Sequence, residues 1–358
     1  MLDNGPMTAP AHRDPPPWRR LAACALGLAL AAFAASSAAA ATPAKPCRYI
    51  RLGSMPATWV HSHLEVPGTI EHVPETMVLD TGATDTVIPE RMAQALSLER
   101  VPDWVSRSYG AGGKASTWFA KIHSIQVGDV QGHDVHLTVA STELSGVLVG
   151  ADFLFQHDLE LTGGLATSYA PLDCDDAPLA YWAADVPWVD IEPPDGDDRR
   201  VVVQVRIDGQ PIRALVDTGA SFTVLDVAAA RRLHLDDALR GAPAIDVPGI
   251  GAKRLRLWSV PIAEFAIGGE QVVHTRLMAG DLWGHERADR GILSGWWNLR
   301  HAPELILGAD FLQAHHLLFA MKQRRLYFSY LGGDLFNTRT ESGAAEPAAP
   351  QASGGAGG

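Results

Sequence analysis

Basic residues are what this sequence is short of: 29 Lys and Arg stand against 41 Asp and Glu, giving a formal net charge of −12 over 358 residues. Clustered basic charge goes no further than adjacent pairs such as Arg19-Arg20 and Arg324-Arg325. A chain with this balance repels phosphate-rich polymers, which excludes nucleic acid as a partner. A phosphate-binding glycine loop is missing, as is any serine or cysteine triad arrangement, so neither nucleotide binding nor acyl-enzyme chemistry is expected. Fourteen histidines are present, but His61 and His63 lie two apart on an expected strand and His315-His316 are adjacent. Neither pair has cysteines or carboxylates at ligand spacing, so no metal and no cofactor are expected.

Cysteine is nearly absent too, at three residues. Residues 1–44 read as an export segment: Arg13, Arg19 and Arg20 precede an apolar run over residues 21–34, and residues 36–41 are small, as a cleavage site requires. The expected location is periplasmic or extracellular, by general secretion. The alternative is a retained membrane anchor, because residues 21–41 are just long enough to span. Their alanine content, with Ser36 and Ser37, makes them weakly hydrophobic. Cys24 lies near the start of the apolar run and not after it, where a lipoprotein cysteine would stand, and leaves with the segment. Cys47 and Cys174 remain, an even number in an oxidising compartment, and form either one disulfide closing a long loop or two separate buried thiols.

What the chain does have is an internal repeat. Met77-Val78-Leu79-Asp80-Thr81-Gly82-Ala83 returns as Ala214-Leu215-Val216-Asp217-Thr218-Gly219-Ala220, and Val147-Leu148-Val149-Gly150-Ala151-Asp152-Phe153-Leu154 returns as Leu305-Ile306-Leu307-Gly308-Ala309-Asp310-Phe311-Leu312. Between these anchors each copy carries a helix-like stretch, residues 89–98 and 226–239, and a glycine-rich hairpin, residues 109–116 and 248–253. Pro89 suits a first helical position and Asp226 an N-cap. Strands are expected before each Asp turn, residues 58–66 and 201–207, and Asp208-Gly209 signals a tight hairpin. The second copy lengthens its Asp-to-Gly interval from 70 to 91 residues by an insertion over residues 281–303 that holds Trp283, Trp296 and Trp297. Those tryptophans form either a local core or a contact surface.

The expected organisation is therefore a first lobe over residues 45–172, an exposed linker over 173–198, a second lobe over 199–331 and a disordered tail over 332–358. The linker expectation rests on nine acidic residues broken up by prolines, the tail on its Ala, Gly, Pro and Ser content.

An apolar strand ending in Asp, then a small hydroxyl residue, then Gly presents one carboxyl at a tight turn. Two such turns brought together would hold two carboxyls that cannot both ionise and so share a proton. In these residues the chain resembles the retropepsin-like aspartic peptidases, including bacterial membrane or periplasmic members, with pepsin-like enzymes as more distant relatives. The resemblance spans about residues 50–331. It implies a mainly β fold of two closed β-barrel lobes paired as an internal pseudo-dimer, cofactor-free hydrolysis of peptide bonds, and a peptide or protein substrate. Asp80 and Asp217 match the catalytic pair, Thr81 and Thr218 the threonines that brace the two turns, and Gly82 and Gly219 the glycines allowing close backbone approach. Gly150 and Gly308 match the glycine of the strand packed over each turn. Tyr109, Gly110 and Gly112 resemble a pepsin-like flap, and Gly249, Ile250 and Gly251 a retroviral one; each hairpin could equally be a plain surface turn. Asp152 and Asp310 are expected to cap the helices that follow. Ala83 and Ala220 stand where acid-working relatives often have a hydroxyl, so activity nearer neutrality is expected. The competing readings are a non-catalytic peptide-binding protein on the same fold and a peptidase that pairs its lobes between two chains.

Overall fold

The computed structural model describes residues 46–110, 113–141, 144, 146–175, 177–248, 254–284 and 302–336. Residues 1–44, and with them the export segment, lie outside that set. Among the described residues no helix is long and apolar enough to cross a membrane.

Each copy folds into a sheet that closes on itself. In the first, the strand order is His63–Ile70, Val73–Leu79, Val147–Val149, Val87–Pro89, Val130–Ala140 and Gly113–Val127, and the last pairs back onto the first at Gly68–Val127 and Ile70–Ile125. The second copy repeats the order with Val202–Ile207, Gln210–Val216, Leu305–Leu307, Val224–Asp226, Glu270–Gly280 and Arg254–Ile267, closing at Ile207–Phe265. Period-two alternation drives these strands: along Val202–Ile207, Val203, Val205 and Ile207 are buried while Gln204 and Arg206 face water. Asp208 and Gly209 take φ of 50° and 75°, the left-handed pair that a two-residue hairpin turn requires.

A third sheet joins the lobes, in the order Arg48–Pro56, Leu165–Leu172, Asp158–Thr162, His315–Ala320, Arg325–Tyr330 and Trp188–Asp190. Its central pairing, Leu159–Phe319 to Leu161–Leu317, brings one strand from each copy side by side. One apolar core runs through both lobes and this sheet. Cys47 and Cys174 form a disulfide, with Cα atoms 4.5 Å apart and 127 residues between them in sequence. It ties the start of the first central strand to the segment that leaves the first lobe. Replacing both cysteines by alanine is expected to lower unfolding free energy by about 2–4 kcal/mol in urea titrations, because the unfolded chain loses a long closed loop. A loss below about 0.5 kcal/mol would show that the loop constrains little.

Residues 173–198 do not form the exposed linker that charge and proline suggest. Leu179 and Ala180 are buried against Leu318, Ala320 and Tyr327, and the Trp182 indole donates to Ser329 Oγ and stacks on His316. Trp188–Asp190 forms the outer strand of the central sheet, the counterpart of Arg48–Pro56, and Ile191 bridges to Val203. Asp173, Asp175, Asp185, Asp190, Asp195 and Asp197 face water, while Leu179, Ala180 and Ile191 are buried. Nor does the tail begin at residue 332. Phe336 is buried, donates its N–H to the Asp310 carbonyl, and packs on Phe265 and Phe311.

The helical stretches are also shorter than expected. Pro89 is the N-cap of helix Glu90–Ala95, one residue ahead of its expected place. Residues 226–239 break into Val227–Arg232 and Asp236–Gly241 at His234, which takes a φ of 60°. Asp226 caps the first of these through Ala228 N–H at 2.9 Å and also accepts from Leu282 N–H. Asp226→Ala should therefore cost about 1–2 kcal/mol by thermal unfolding, and an unchanged midpoint would count against the cap.

Candidate active site

Strand Val73–Leu79 ends where its parallel partner Val147–Val149 does, and Asp80 N–H donates to Val149 O at 2.9 Å. Asp217 follows Gln210–Val216 in the same way, donating to Leu307 O at 3.0 Å. The two turns meet. Thr81 Oγ1 donates to Val216 O at 2.8 Å and accepts from Thr218 N–H at 3.0 Å. Thr218 Oγ1 donates to Leu79 O at 2.6 Å and accepts from Thr81 N–H at 3.1 Å. Each hydroxyl thus satisfies a donor and an acceptor of the other lobe, and both threonines are fully buried.

This brace brings the carboxyls together. Oδ1 of Asp80 accepts from Gly82 and Ala83 N–H at 3.0 and 2.9 Å, and Oδ1 of Asp217 from Gly219 and Ala220 N–H at 2.9 and 3.2 Å. A Cβ on Gly82 would lie 2.2 Å from Asp217 Cγ, and one on Gly219 2.4 Å from Asp80 Cγ. Only glycine admits that approach. Burial raises both carboxyls above the ordinary range. Asp217 is raised furthest, because the Asp80 charge adds to the burial, while a hydrogen bond from Asp217 holds Asp80 back. The pair therefore keeps one proton over a range where free carboxyls have none.

Gly150 and Gly308 sit where a Cβ would strike the backbone of Asp85 and of Phe222, each at 2.4 Å. Asp152 and Asp310 do not serve as N-caps: Gly150 and Gly308 hold those positions, without side-chain caps. The two carboxyls instead accept from Thr86 Oγ1 at 2.7 Å and Thr223 Oγ1 at 2.6 Å, and those hydroxyls accept from Gly150 and Gly308 N–H, both at 3.1 Å. Burial pushes the Asp310 carboxyl up to about 6. Sequence reasoning passed over Thr86 and Thr223, although each stands six residues beyond its catalytic-type Asp.

Paired antiparallel strands flank both glycine-rich segments. Arg100–Gly110 pairs with Gly113–Val127, placing Tyr109 opposite Lys114 and Gly110 opposite Gly113. Ala244–Pro248 pairs with Arg254–Ile267 up to Pro248–Arg254. Gly112, Gly249, Ile250 and Gly251 fall outside the described residues. So do Trp296 and Trp297, whereas Trp283 packs on an apolar cluster of the second lobe and donates to Pro303 O at 2.7 Å. Among the described residues no group of three or more His, Cys, Asp or Glu is placed to hold a metal. His315 and His316 instead meet the carboxylates of Glu270 and Glu160.

Residues 66–156 match the family described as "gag-polyprotein putative aspartyl protease", and residues 203–311 match the family "Aspartyl protease". Among solved structures, the aspartic proteinase from Irpex lacteus is similar in fold, with a TM-score of 0.50 at 17% identity over 80% of this chain and 98% of that one. No curated protein sequence matches.

Proposed function

Since the chain belongs to the retropepsin-like aspartic proteases, with both lobes in one polypeptide, we propose that it is an endopeptidase in which Asp80 and Asp217 activate one water between them. The observation that carries this is the pair of crossed threonine bonds, which sets both carboxyls at one point between the lobes. The ionised carboxyl takes a proton from water as the water oxygen attacks the scissile carbonyl carbon. The protonated carboxyl gives its proton to the carbonyl oxygen. Collapse of the tetrahedral adduct breaks the C–N bond and sends a proton to the leaving amine, so the pair ends with the single proton it began with. An extended peptide would lie across both lobes beneath the two hairpins, held by strand-type hydrogen bonds. One chain would hold one complete site, and residues 1–44 would deliver it to the periplasm or outside the cell.

The test is cleavage of a mixed peptide pool, with and without a transition-state-mimicking inhibitor of aspartic peptidases. Inhibitor-sensitive internal cleavage with specific activity independent of protein concentration is expected. Peptide binding without cleavage would leave only the non-catalytic reading.

The pH profile follows from the raised carboxyls. The acid limb appears when the pair takes a second proton and the alkaline limb when the shared proton is lost. Raising both ionisations moves both limbs up, toward neutrality. A hydroxyl at Ala83 or Ala220 would donate to the carboxylate and favour its charge. Ala83→Ser combined with Ala220→Ser should therefore shift the kcat/KM optimum to lower pH. A wild-type optimum below about pH 4 would contradict the assignment.

A further inference from the structure

The two lobes share one frame but line it differently, and register fixes the equivalent positions. In the second lobe Val224 pairs with Met278 and Leu257 with Gly280. In the first, Val87 pairs with Thr138 and Thr117 with Ala140. Thr138 therefore holds the place of Met278, and Thr117 that of Leu257. Asp85 and Phe222 each stand five residues beyond the paired aspartate, with the closing glycine pressed on their backbone.

Strand parity gives the direction these residues face. Leu277 and Ala279 enter the main core, whereas Met278 joins a separate apolar cluster with Val224, Leu255, Leu257 and Ile306. Ala220, whose N–H holds Asp217, packs on that cluster, as do Ile245 and Val247 of the second flap hairpin. The cluster is thus the wall between catalytic turn and flap. In the first lobe Leu137 and Val139 enter the core in the same way, which sets Thr138 on the corresponding wall.

There the chemistry changes. The hydroxyls of Thr117 and Thr138 are buried and complete no hydrogen bond, although that of Thr138 stands near enough to Asp85 to favour its charge. The charged groups around Asp85 are Asp152, Asp198 and Arg200, and Arg200 pairs with Asp198 at 2.6 Å. Burial first, then Asp152, raises the Asp85 carboxyl. Two buried hydroxyl oxygens that accept from no donor, the Thr138 one next to a carboxylate in net negative surroundings, suit an incoming cationic donor.

Given the peptidase activity proposed for Asp80 and Asp217, on which this inference rests, we propose that the cleft is chemically polarised. The first lobe takes a lysine or arginine side chain of the substrate at Asp85, Thr138 and Thr117, and the second takes an apolar side chain at Phe222, Met278 and Leu257, on the other side of the scissile bond.

The test is to sequence the products of a random peptide pool cut by the wild type, by Asp85→Asn, and by the double variant Asp85→Phe/Thr138→Met. Wild-type sites should carry a basic residue on one side and an apolar one on the other. Asp85→Asn, which keeps shape and removes charge, should reduce the basic enrichment about tenfold. The double variant should accept apolar residues on both sides. No basic enrichment in the wild type, or enrichment unchanged in Asp85→Asn, overturns the proposal. Failure of the wild type to cut any peptide would instead strike the peptidase reading. Calorimetric binding of lysine-centred against leucine-centred peptides then decides, with equal affinity overturning the polarised cleft and a lysine preference lost in Asp85→Asn supporting it.

Discussion

Asp217→Asn is expected to lower kcat by about a thousandfold or more while leaving the fold intact. The amide oxygen can still accept from Gly219 and Ala220 N–H, so the turn keeps its backbone anchors. What is lost is the group that holds the shared proton. Removing one of two buried, mutually repelling carboxyls also relieves an electrostatic cost, so the urea midpoint should stay level or rise. Steady-state rates on a fluorogenic peptide and equilibrium unfolding of the same preparation check both parts. A variant retaining a tenth of wild-type kcat would show that Asp217 does not carry that proton.

Thr81→Val should produce the largest loss of stability. Valine keeps the shape but leaves Thr218 N–H without its acceptor and Val216 O without its donor, both deep in the interface between the lobes. At about 1–3 kcal/mol for each buried group left unpaired, the expected cost is about 2–6 kcal/mol in unfolding free energy. Activity should fall with it, because the brace that sets the carboxyl spacing is released. Thr81→Ser keeps the hydroxyl and should recover most of both. A cost below about 1 kcal/mol for the valine variant would mean that the turns are held by something other than the crossed bonds.

Much of this site could be read from the sequence because duplication aligns it. Asp80 with Asp217, Thr81 with Thr218 and Gly82 with Gly219 stand in matched strings, and residue type alone assigns each a role. Segments judged by composition were read less well. Residues 173–198 look like a solvated strap until Leu179, Trp182 and Ile191 are seen covering the central sheet. Nothing in local sequence says that such a partner exists. The break at His234 has the same origin: the apolar and helix-forming residues run on through it, but the backbone there is left-handed. Asp152 and Asp310 stand two residues past a glycine, in the first turn of a short helix, close to where a cap would sit. Their partners, Thr86 and Thr223, come from the turn across the closing strand, a contact set by topology and not by spacing.

Whether the two Asp turns make one site within one chain is decided by comparing the peptide-cleavage rates of Asp80→Asn and Asp217→Asn side by side. Each substitution alone is expected to remove essentially all activity, and mixing the two variants to restore none. If like lobes paired between chains, each variant would keep one intact carboxyl pair, and activity near half the wild-type rate in either would contradict a single site within one chain.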